Sequence, residues 1–379
     1  MRTLYGSILL ALTMTGAPAT DGRVQLERIP GGGFQPQAVA DGAGLTHVIY
    51  FKGTASSGDL YYVRRAANGT YSTPLRVNSQ PGAAIATGTV RGGQVALGRG
   101  NRVHVIWNGS STARPQMPGG LPLLYSRLAA GGDAFEPQRN LITWSGAVDG
   151  GGTLAADDTG RVFVAWHANP GTGGDARAAV YLTQSDDDGT RFARERRISQ
   201  EALGACACCS MRALVDRAGS LHLLYRAAGN NVDRDMTLLT SKDGGATFAT
   251  TRLHPWKLEA CPLSTAALAQ GPNGVTAAWE TAGQIYFARV APGTAAVSPD
   301  AAPGTSPMRK HPVMAYNGRG EALLVWLDGT AWARGGSVAW QMYDASGVPT
   351  IERGTAAGVP VWGLAAAAPL PDGRFLILY

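Results

Sequence analysis

The sequence predicts an all-β protein, a β-propeller built from four-stranded blades, and three observations support this fold class. The 51 glycines and 22 prolines divide the 379-residue chain into many short segments, as turns between strands require. Charged residues make up only 16% of the chain, and no stretch has the spacing of a long amphipathic helix. A strand–turn–strand pattern also recurs at roughly constant spacing, which indicates a repeat architecture.

Each repeat consists of a short apolar strand, a turn that contains glycine, and a second apolar strand that ends in Trp or Tyr. We call this final aromatic residue the anchor of its repeat. Successive anchors are 47 to 59 residues apart. A unit of this length cannot bury both faces of its strands alone, and a closed ring of four-stranded blades is the usual solution. The seven anchors are Tyr50, Trp107, Trp166, Tyr225, Trp279, Trp326 and Tyr379.

The seventh repeat reaches the end of the sequence after only its inner hairpin. We expect residues 23–29 (RVQLERI) to supply the missing outer strand, so that the N- and C-terminal strands pair within one blade. Such closure removes the exposed sheet edges that promote aggregation. Residues 20–379 are therefore predicted to form a single propeller domain.

The outer-hairpin turns carry a recognisable sequence pattern. Residues 241–248 read SKDGGATF, residues 185–192 read SDDDGTRF, and residues 126–135 and 64–71 are more divergent copies. Ser and Asp side chains suit such turns because they hydrogen-bond turn amides, and Gly adopts backbone angles that other residues resist. The pattern resembles the SxDGGxTF Asp box of the sialidase-like, or BNR-repeat, propellers. That family usually has six blades, whereas the anchors count seven.

The resemblance implies a second set of candidate residues. Classical sialidases hold the substrate carboxylate with three arginines and use a Tyr assisted by Glu as nucleophile and an Asp as acid/base. Arg28, Ile29 and Pro30 resemble the family's RIP signature, although they precede the first inner strand and so place Arg28 on the closing outer strand. Arg226 and Glu280 each follow an anchor directly and are the catalytic candidates at the channel mouth. Spacing does not supply the rest of a sialidase site.

The four cysteines are unevenly distributed, and alignment on the anchors brings them together. Cys209 starts the innermost strand of the fourth repeat, Cys261 that of the fifth and His311 that of the sixth, while Cys206 and Cys208 lie on the loop leading to Cys209. The innermost strands of a propeller surround its axis and start at one face, where ligand sites are common. We therefore expect these five side chains to converge at the channel mouth.

Thiolates and an imidazole gathered at one place are ligands for a soft or borderline ion, copper as Cu(I) or zinc as Zn(II). Met211, in the same loop, can add a thioether. The alternative is disulfide formation, which an even cysteine count in an exported protein favours. The distribution of three and one permits a single bridge of ordinary geometry, from Cys261 to the loop, because bridges between near neighbours are strained. The sequence leaves both possibilities open.

The N-terminus has the pattern of a cleaved export signal. Arg2 supplies the positive charge, residues 8–14 an apolar core, and Ala17 and Ala19 an A-x-A cleavage site. We expect cleavage after Ala19 and a periplasmic or extracellular protein. No later stretch is apolar and long enough for a membrane span. The net charge of +6 comes from scattered residues rather than a basic run, which argues against a nucleic-acid partner.

Three functions remain open from the sequence, all for an expected monomer. The first is a metal-binding propeller that uses the cysteines and His311. The second is a sialidase-type glycoside hydrolase, which requires an arginine cluster with a Tyr and a Glu nearby. The third is a non-catalytic propeller, stabilised by disulfides, that binds a small molecule, a glycan or a protein at its channel face.

Overall fold

The computed structural model describes residues 22–88, 90–117, 119–146, 148, 150–169, 171, 174–290 and 297–379. In this part of the chain the regular structure is β-strand, apart from four short 3-10 helices at Pro30–Gly32, Arg99–Asn101, Gly174–Arg177 and Glu201–Leu203. The strands form seven sheets arranged as a propeller. The predicted all-β class and the anchor count of seven are both confirmed.

Each of the first six blades is a four-stranded antiparallel sheet with its strands in chain order. Blade 1 is β2 (Phe34–Ala40), β3 (Thr46–Thr54), β4 (Ser57–Arg65) and β5 (Leu75–Arg76). Blade 2 is β6 (Gln94–Leu97), β7 (Val103–Asn108), β8 (Leu123–Arg127) and β9 (Arg139–Asn140). Blade 3 is β10 (Thr153–Ala156), β11 (Val162–Ala168), β12 (Ala179–Ser185) and β13 (Arg196–Arg197).

Blades 4 to 6 repeat this arrangement. Blade 4 is β14 (Arg212–Val215), β15 (Leu221–Arg226), β16 (Met236–Ser241) and β17 (Ala249–His254). Blade 5 is β18 (Ala267–Gly271), β19 (Gly274–Thr281), β20 (Gln284–Val290) and β21 (Asp300–Ala301). Blade 6 is β22 (Arg309–Tyr316), β23 (Ala322–Asp328), β24 (Gly336–Tyr343) and β25 (Pro349–Val359).

Blade 7 closes the ring with both ends of the described chain. It contains β26 (Ala366–Pro369), β27 (Phe375–Leu378) and the N-terminal β1 (Val24–Glu27). β1 pairs with β27 in parallel, from Val24 opposite Phe375 to Glu27 opposite Leu378. Each innermost strand contacts that of the next blade, and β26 contacts β2. The predicted closure by the N- and C-terminal strands is confirmed.

The anchors form the core between blades. Six of the seven are at most 5% exposed, and Trp107, Trp166 and Trp279 are among the largest fully buried side chains. Tyr379, the last anchor, is half-buried. Large aromatic side chains bury the area that holds neighbouring sheets together, so the residues that mark the repeat in the sequence also pack the ring.

The turn between β16 and β17 is held by side-chain hydrogen bonds. The Ser241 hydroxyl donates to Asp243 at 2.7 Å and accepts from the Gly245 N–H at 2.8 Å, and the Thr247 N–H donates to Asp243 at 2.9 Å. Gly245 has φ +88°, a region that costs glycine little. No helix in the described ranges is long and apolar enough to cross a membrane.

Candidate metal centre

The three clustered cysteines lie on a short loop that leads into the innermost strand of blade 4. We call residues 204–210 the thiol loop. The Cys206 N–H donates to the carbonyl of Arg226 at 2.9 Å, and the Cys209 N–H donates back to the Cys206 carbonyl at 3.2 Å. Gly204, at the start of the loop, has φ +57° and lies against the backbone of Asp175. A Cβ at this position would lie 2.7 Å from the Asp175 carbonyl oxygen, so the close contact requires glycine. The resulting turn places the thiols of the loop on one side.

The three sulfur atoms form a compact group. The Sγ of Cys206 lies 3.3 Å from that of Cys208 and 3.4 Å from that of Cys209, and all three atoms lie within 4.8 Å of one another. A disulfide requires about 2.05 Å, so these are free thiols, as are all four cysteines in the structure. Sulfurs bound to one ion at about 2.3 Å are separated by about 3.8 to 4.0 Å. The group is therefore close enough to bind a metal.

Burial and neighbouring arginines set the ionisation of these thiols. Cys206 and Cys209 are buried, and Cys208 is half-buried. Burial opposes ionisation of Cys209, but hydrogen bonds from the other two thiols and the positive charge of Arg226 lower its pKa well below the ordinary value. The pKa of Cys208 is raised because its thiol is engaged with Cys206 and Cys209. Of the three thiols, Cys209 is therefore the one whose surroundings favour ionisation.

Arg226 and Glu280, the two catalytic candidates, are buried beside the thiol loop. The guanidinium of Arg226 donates to the carbonyls of Arg234 and Glu280 and lies 3.9 Å from the Glu280 carboxylate. It also stacks 5.0 Å from the ring centroid of Trp256. Burial raises the pKa of Glu280, whose Oε1 accepts from the Gly283 N–H at 2.7 Å. The two side chains are at most 3% exposed, which encloses them within the rim of the ring.

The other side of the thiol loop rests on blade 3. The buried His167, which follows the anchor Trp166, has its Nε2 2.9 Å from the carbonyl oxygen of Ala207. Gly150 fits beneath the same carbonyl, because a Cβ there would lie 2.0 Å from it. Two residues that directly follow an anchor, His167 of blade 3 and Arg226 of blade 4, thus contact the loop, and Glu280 of blade 5 contacts Arg226.

The structure does not bring Cys261 into the sulfur group. Its thiol is exposed, and its Sγ is outside the set of ligand atoms that lie within 4.8 Å. The reason is register: Cys209 precedes its innermost strand by three residues, whereas Cys261 precedes its own by six. The residue of blade 5 that meets the thiol loop is Ser264, whose carbonyl accepts from the Ser210 N–H at 3.3 Å.

His311 is also outside the sulfur group. Its ring is buried, and Nδ1 accepts from the Thr265 N–H at 3.3 Å. Burial, together with the charge of Lys310, lowers its pKa to about 3, so the imidazole is neutral. Met211 is buried in the apolar core between blades 3 and 4. Arg28, the residue of the RIP sequence, lies outside the channel rim, where it donates to the carbonyls of Ala357 and Gly358.

Sequence spacing missed Arg234 as a neighbour of the thiols. It is 5% exposed, donates to Asp175 at 2.9 Å, and has its pKa influenced by Cys206 and Cys208. Arg234 precedes β16 by two residues in a loop of its own, so no periodic position marks it. Its position could be found only once the loops above blade 4 were placed.

Comparison with known proteins identifies the fold. No protein-family model and no curated protein matches the chain. Among solved structures, a protein of unknown function from Dyadobacter fermentans DSM 18053 is 14% identical with a TM-score of 0.56, covering 82% of this chain and 94% of that one. The Hadza microbial sialidase Hz136 is 13% identical with a TM-score of 0.53, covering 83% and 69%.

A leech intramolecular trans-sialidase bound to 2,7-anhydro-Neu5Ac is 10% identical with a TM-score of 0.51, covering 86% of this chain and 78% of that one. At these identities the similarity shows the fold alone. The chain has the fold of the sialidase-like β-propellers, with seven blades and a cysteine cluster at the start of an innermost strand.

Proposed function

We propose that this sialidase-like propeller binds one soft metal ion, Cu(I), through Cys206, Cys208 and Cys209, and that it does so outside the cytosol. The observation that carries the proposal is the approach of three thiol sulfurs to within 4.8 Å of one another. Thiolates are the ligands that select Cu(I) and Zn(II) over harder ions.

The number of ligands favours Cu(I) over Zn(II). In the described part of the chain, the group that could hold an ion consists of three cysteines without a fourth His, Cys or carboxylate. Structural zinc sites have four protein ligands, whereas Cu(I) is satisfied by three thiolates. Cys208 is half-buried, so an ion or a partner that delivers it can reach the site.

The surrounding charges support a thiolate site. Three thiolates with Cu(I) carry two net negative charges, and burying such charge without compensation is costly. Arg226 stabilises the thiolate of Cys209, and Arg234 interacts electrostatically with Cys206 and Cys208. The two arginines therefore offset the charge of the loaded site.

A location outside the cytosol favours a metal-bound state of the three thiols. The signal pattern in residues 1–19 lies outside the described residues, and we infer from it a mature protein that begins at Thr20. Free thiols outside the cytosol oxidise unless they are protected or ligated. A bound Cu(I) ion would protect the three thiols, and the protein would hold the metal in the periplasm or outside the cell.

Metal stoichiometry and competition with a copper chelator test this proposal. The mature protein is purified without added metal or reductant, analysed for metal and thiols, and then titrated with Cu(I) against bathocuproine disulfonate. We expect one Cu(I) per chain, and we expect Cys209→Ser to weaken binding by about 100-fold or more, since even an outer-shell change can cost 10- to 100-fold.

Cys261→Ser is the matched control because it removes the one cysteine outside the group. We expect it to leave Cu(I) affinity unchanged. A stoichiometric zinc content with no Cu(I) preference would reassign the metal, and absence of both tight metal binding and titratable thiols would reject the proposal. Equal losses in the two variants would mean that the site is not the one described.

A further inference from the structure

The innermost strands enclose a central channel of about 500 Å³ beneath the thiol loop. Most of the side chains that line it are small and apolar, such as Ala96, Ala155 and Ala269. Among the described lining residues only Asp41 and Arg212 are charged. The Asp41 carboxylate accepts from the N–H groups of Ala43 and Leu45 in its own turn, and it also faces the ring of His47. Arg212 is thus the one channel charge without such partners.

Arg212 has no counterion in the described part of the chain. Its Nε donates to the carbonyl of Ala266 at 3.0 Å, while no described carboxylate forms an ion pair with it and its two terminal nitrogens have no hydrogen-bond partner among the described residues. Its side chain is half-buried and lines the channel. Desolvation alone, with no opposing acid, lowers its pKa to about 10. A cation that is partly removed from water and has no counterion is destabilising.

Three polar side chains lie at the same level of the channel as Arg212. Gln37, Gln94, Thr153 and Arg212 each pair with the residue that precedes the anchor of its blade, on four consecutive blades. The Thr153 hydroxyl accepts from the Ala213 N–H at 2.8 Å. The side-chain amides of Gln37 and Gln94 have no hydrogen-bond partner among the described residues. We call these four side chains the channel polar layer.

We propose that the channel polar layer binds a small oxyanion, a carboxylate, sulfate or phosphate, with Arg212 as its counterion. The terminal nitrogens of a guanidinium match two oxygens of such an anion, and amide N–H groups of Gln37 and Gln94 supply further donors. The anion neutralises the cation that the protein leaves unpaired. This site is separate from the sulfur group and does not depend on metal binding.

Thermal unfolding and calorimetric titration of the full mature protein test the site. Sulfate, phosphate and acetate are added separately, with sodium chloride at the same ionic strength as the reference. We expect at least one of the three anions to raise the Tm in a saturable way, because a ligand that binds only the folded state stabilises it. The three salts distinguish which oxyanion the layer prefers.

Three variants test whether the channel polar layer is the place where the anion binds. We expect Arg212→Gln to abolish the saturable Tm shift and the calorimetric signal, and Gln94→Ala, which keeps the arginine, to weaken anion binding by about 10-fold. Arg374→Gln is the control, because Arg374 is half-exposed and pairs with Asp372; its response should match the parent protein. Cu(I) binding should be unchanged in Arg212→Gln, so the two sites are tested separately.

A flat response of the parent protein to all three oxyanions would overturn the proposal, since it would mean that water alone solvates Arg212. Equal saturable Tm shifts in Arg212→Gln and the parent protein would also overturn the proposal. Should Arg212→Gln fail to fold, the Gln94→Ala variant decides: an unchanged affinity would place the anion elsewhere.

Discussion

The imidazole of His104 is electrically neutral in the folded protein, and this makes the stability of the protein depend on pH. Its ring is fully buried, with Nδ1 2.8 Å from the Tyr125 hydroxyl and Nε2 3.4 Å from the Asp188 carboxylate. Burial, reinforced by Arg127 and Arg102, lowers the pKa of His104 to about 3. The unfolded chain therefore takes up a proton that the folded chain refuses between pH 6.5 and about 3.

That difference makes stability fall as the pH falls. A histidine with a lowered pKa costs the folded state about 1.4 kcal/mol per pH unit below its unfolded value of about 6.5. We expect His104→Asn, which can still bond Tyr125, to lose about 2.3 kcal/mol less than the parent protein between pH 6.5 and pH 4.5. Urea unfolding at several pH values measures this, and parallel pH profiles would contradict it.

Ser241 is the buried centre of its turn. Its hydroxyl accepts from the buried Gly245 N–H and donates to Asp243, so replacement leaves an N–H without a partner. We expect Ser241→Ala to lower the free energy of unfolding by about 1 to 2 kcal/mol, measured by urea unfolding. Ser346→Ala, at an exposed turn, is the control and should change stability by less than about 0.5 kcal/mol. Equal effects of the two would remove the structural role assigned to Ser241.

The proximity of Cys206, Cys208 and Cys209 could be predicted from the sequence because it is local. Three thiols within four residues need only one turn to meet. Arg212 could not be recognised in the same way, since its significance lies in the absence of an ion pair between it and any described carboxylate, Asp41 included. That absence is a property of side chains from other blades, which no spacing within one repeat encodes.

Strand register explains why the predicted position of Cys261 did not follow from the anchors. Register shifts interrupt β2 and β22 near their starts, and in blade 5 the Gly271–Gly274 pair closes β18 and β19 with a tighter turn. Blade 5 also differs in where its innermost strand begins, because Ala267 lies 12 residues before the anchor Trp279 whereas Arg212 lies 13 residues before Tyr225. Cys261 precedes its strand by six residues and Cys209 precedes its own by three, so the two cysteines are not at equivalent positions. The position of an anchor predicts where its own hairpin ends. It does not predict equally well where the next hairpin begins.

β1 is held in the ring by more than its parallel pairing. The carboxylate of Glu27, at its end, accepts from Arg65 at 2.6 Å and from the Tyr71 hydroxyl at 2.5 Å. Arg65 is 2% exposed. The hydrogen bonds from Arg65 and Tyr71 outweigh burial and lower the pKa of Glu27. The carboxylate thus links the closing strand to blade 1.

We expect Glu27→Ala to destabilise the protein by about 2 to 4 kcal/mol, because it leaves the buried Arg65 without its counterion. Urea unfolding measures the loss. Glu201→Ala is the control, since that side chain is 74% exposed and surface pairs contribute about 0 to 1 kcal/mol. A loss no larger than the control's would show that closure does not depend on this contact.

At the scale of the whole molecule, the ring determines where chemistry can occur. The ring brings His167 of blade 3, Arg226 of blade 4 and Ser264 of blade 5 into contact with the thiol loop. The channel below the loop is open, and among its described lining residues only two are charged. The number of blades and the closure could be predicted from repeated anchors. The sequence did not allow a prediction of which rim positions face one another, because the loops above the blades differ in length.

The central claim is that three sulfur atoms of one loop bind a single ion. X-ray absorption at the copper edge, on Cu(I)-loaded Cys261→Ser protein, tests it most directly. We expect a first shell of three sulfur scatterers at about 2.3 Å. A shell of nitrogen or oxygen, or fewer than three sulfurs in this variant but three in the parent protein, would contradict it.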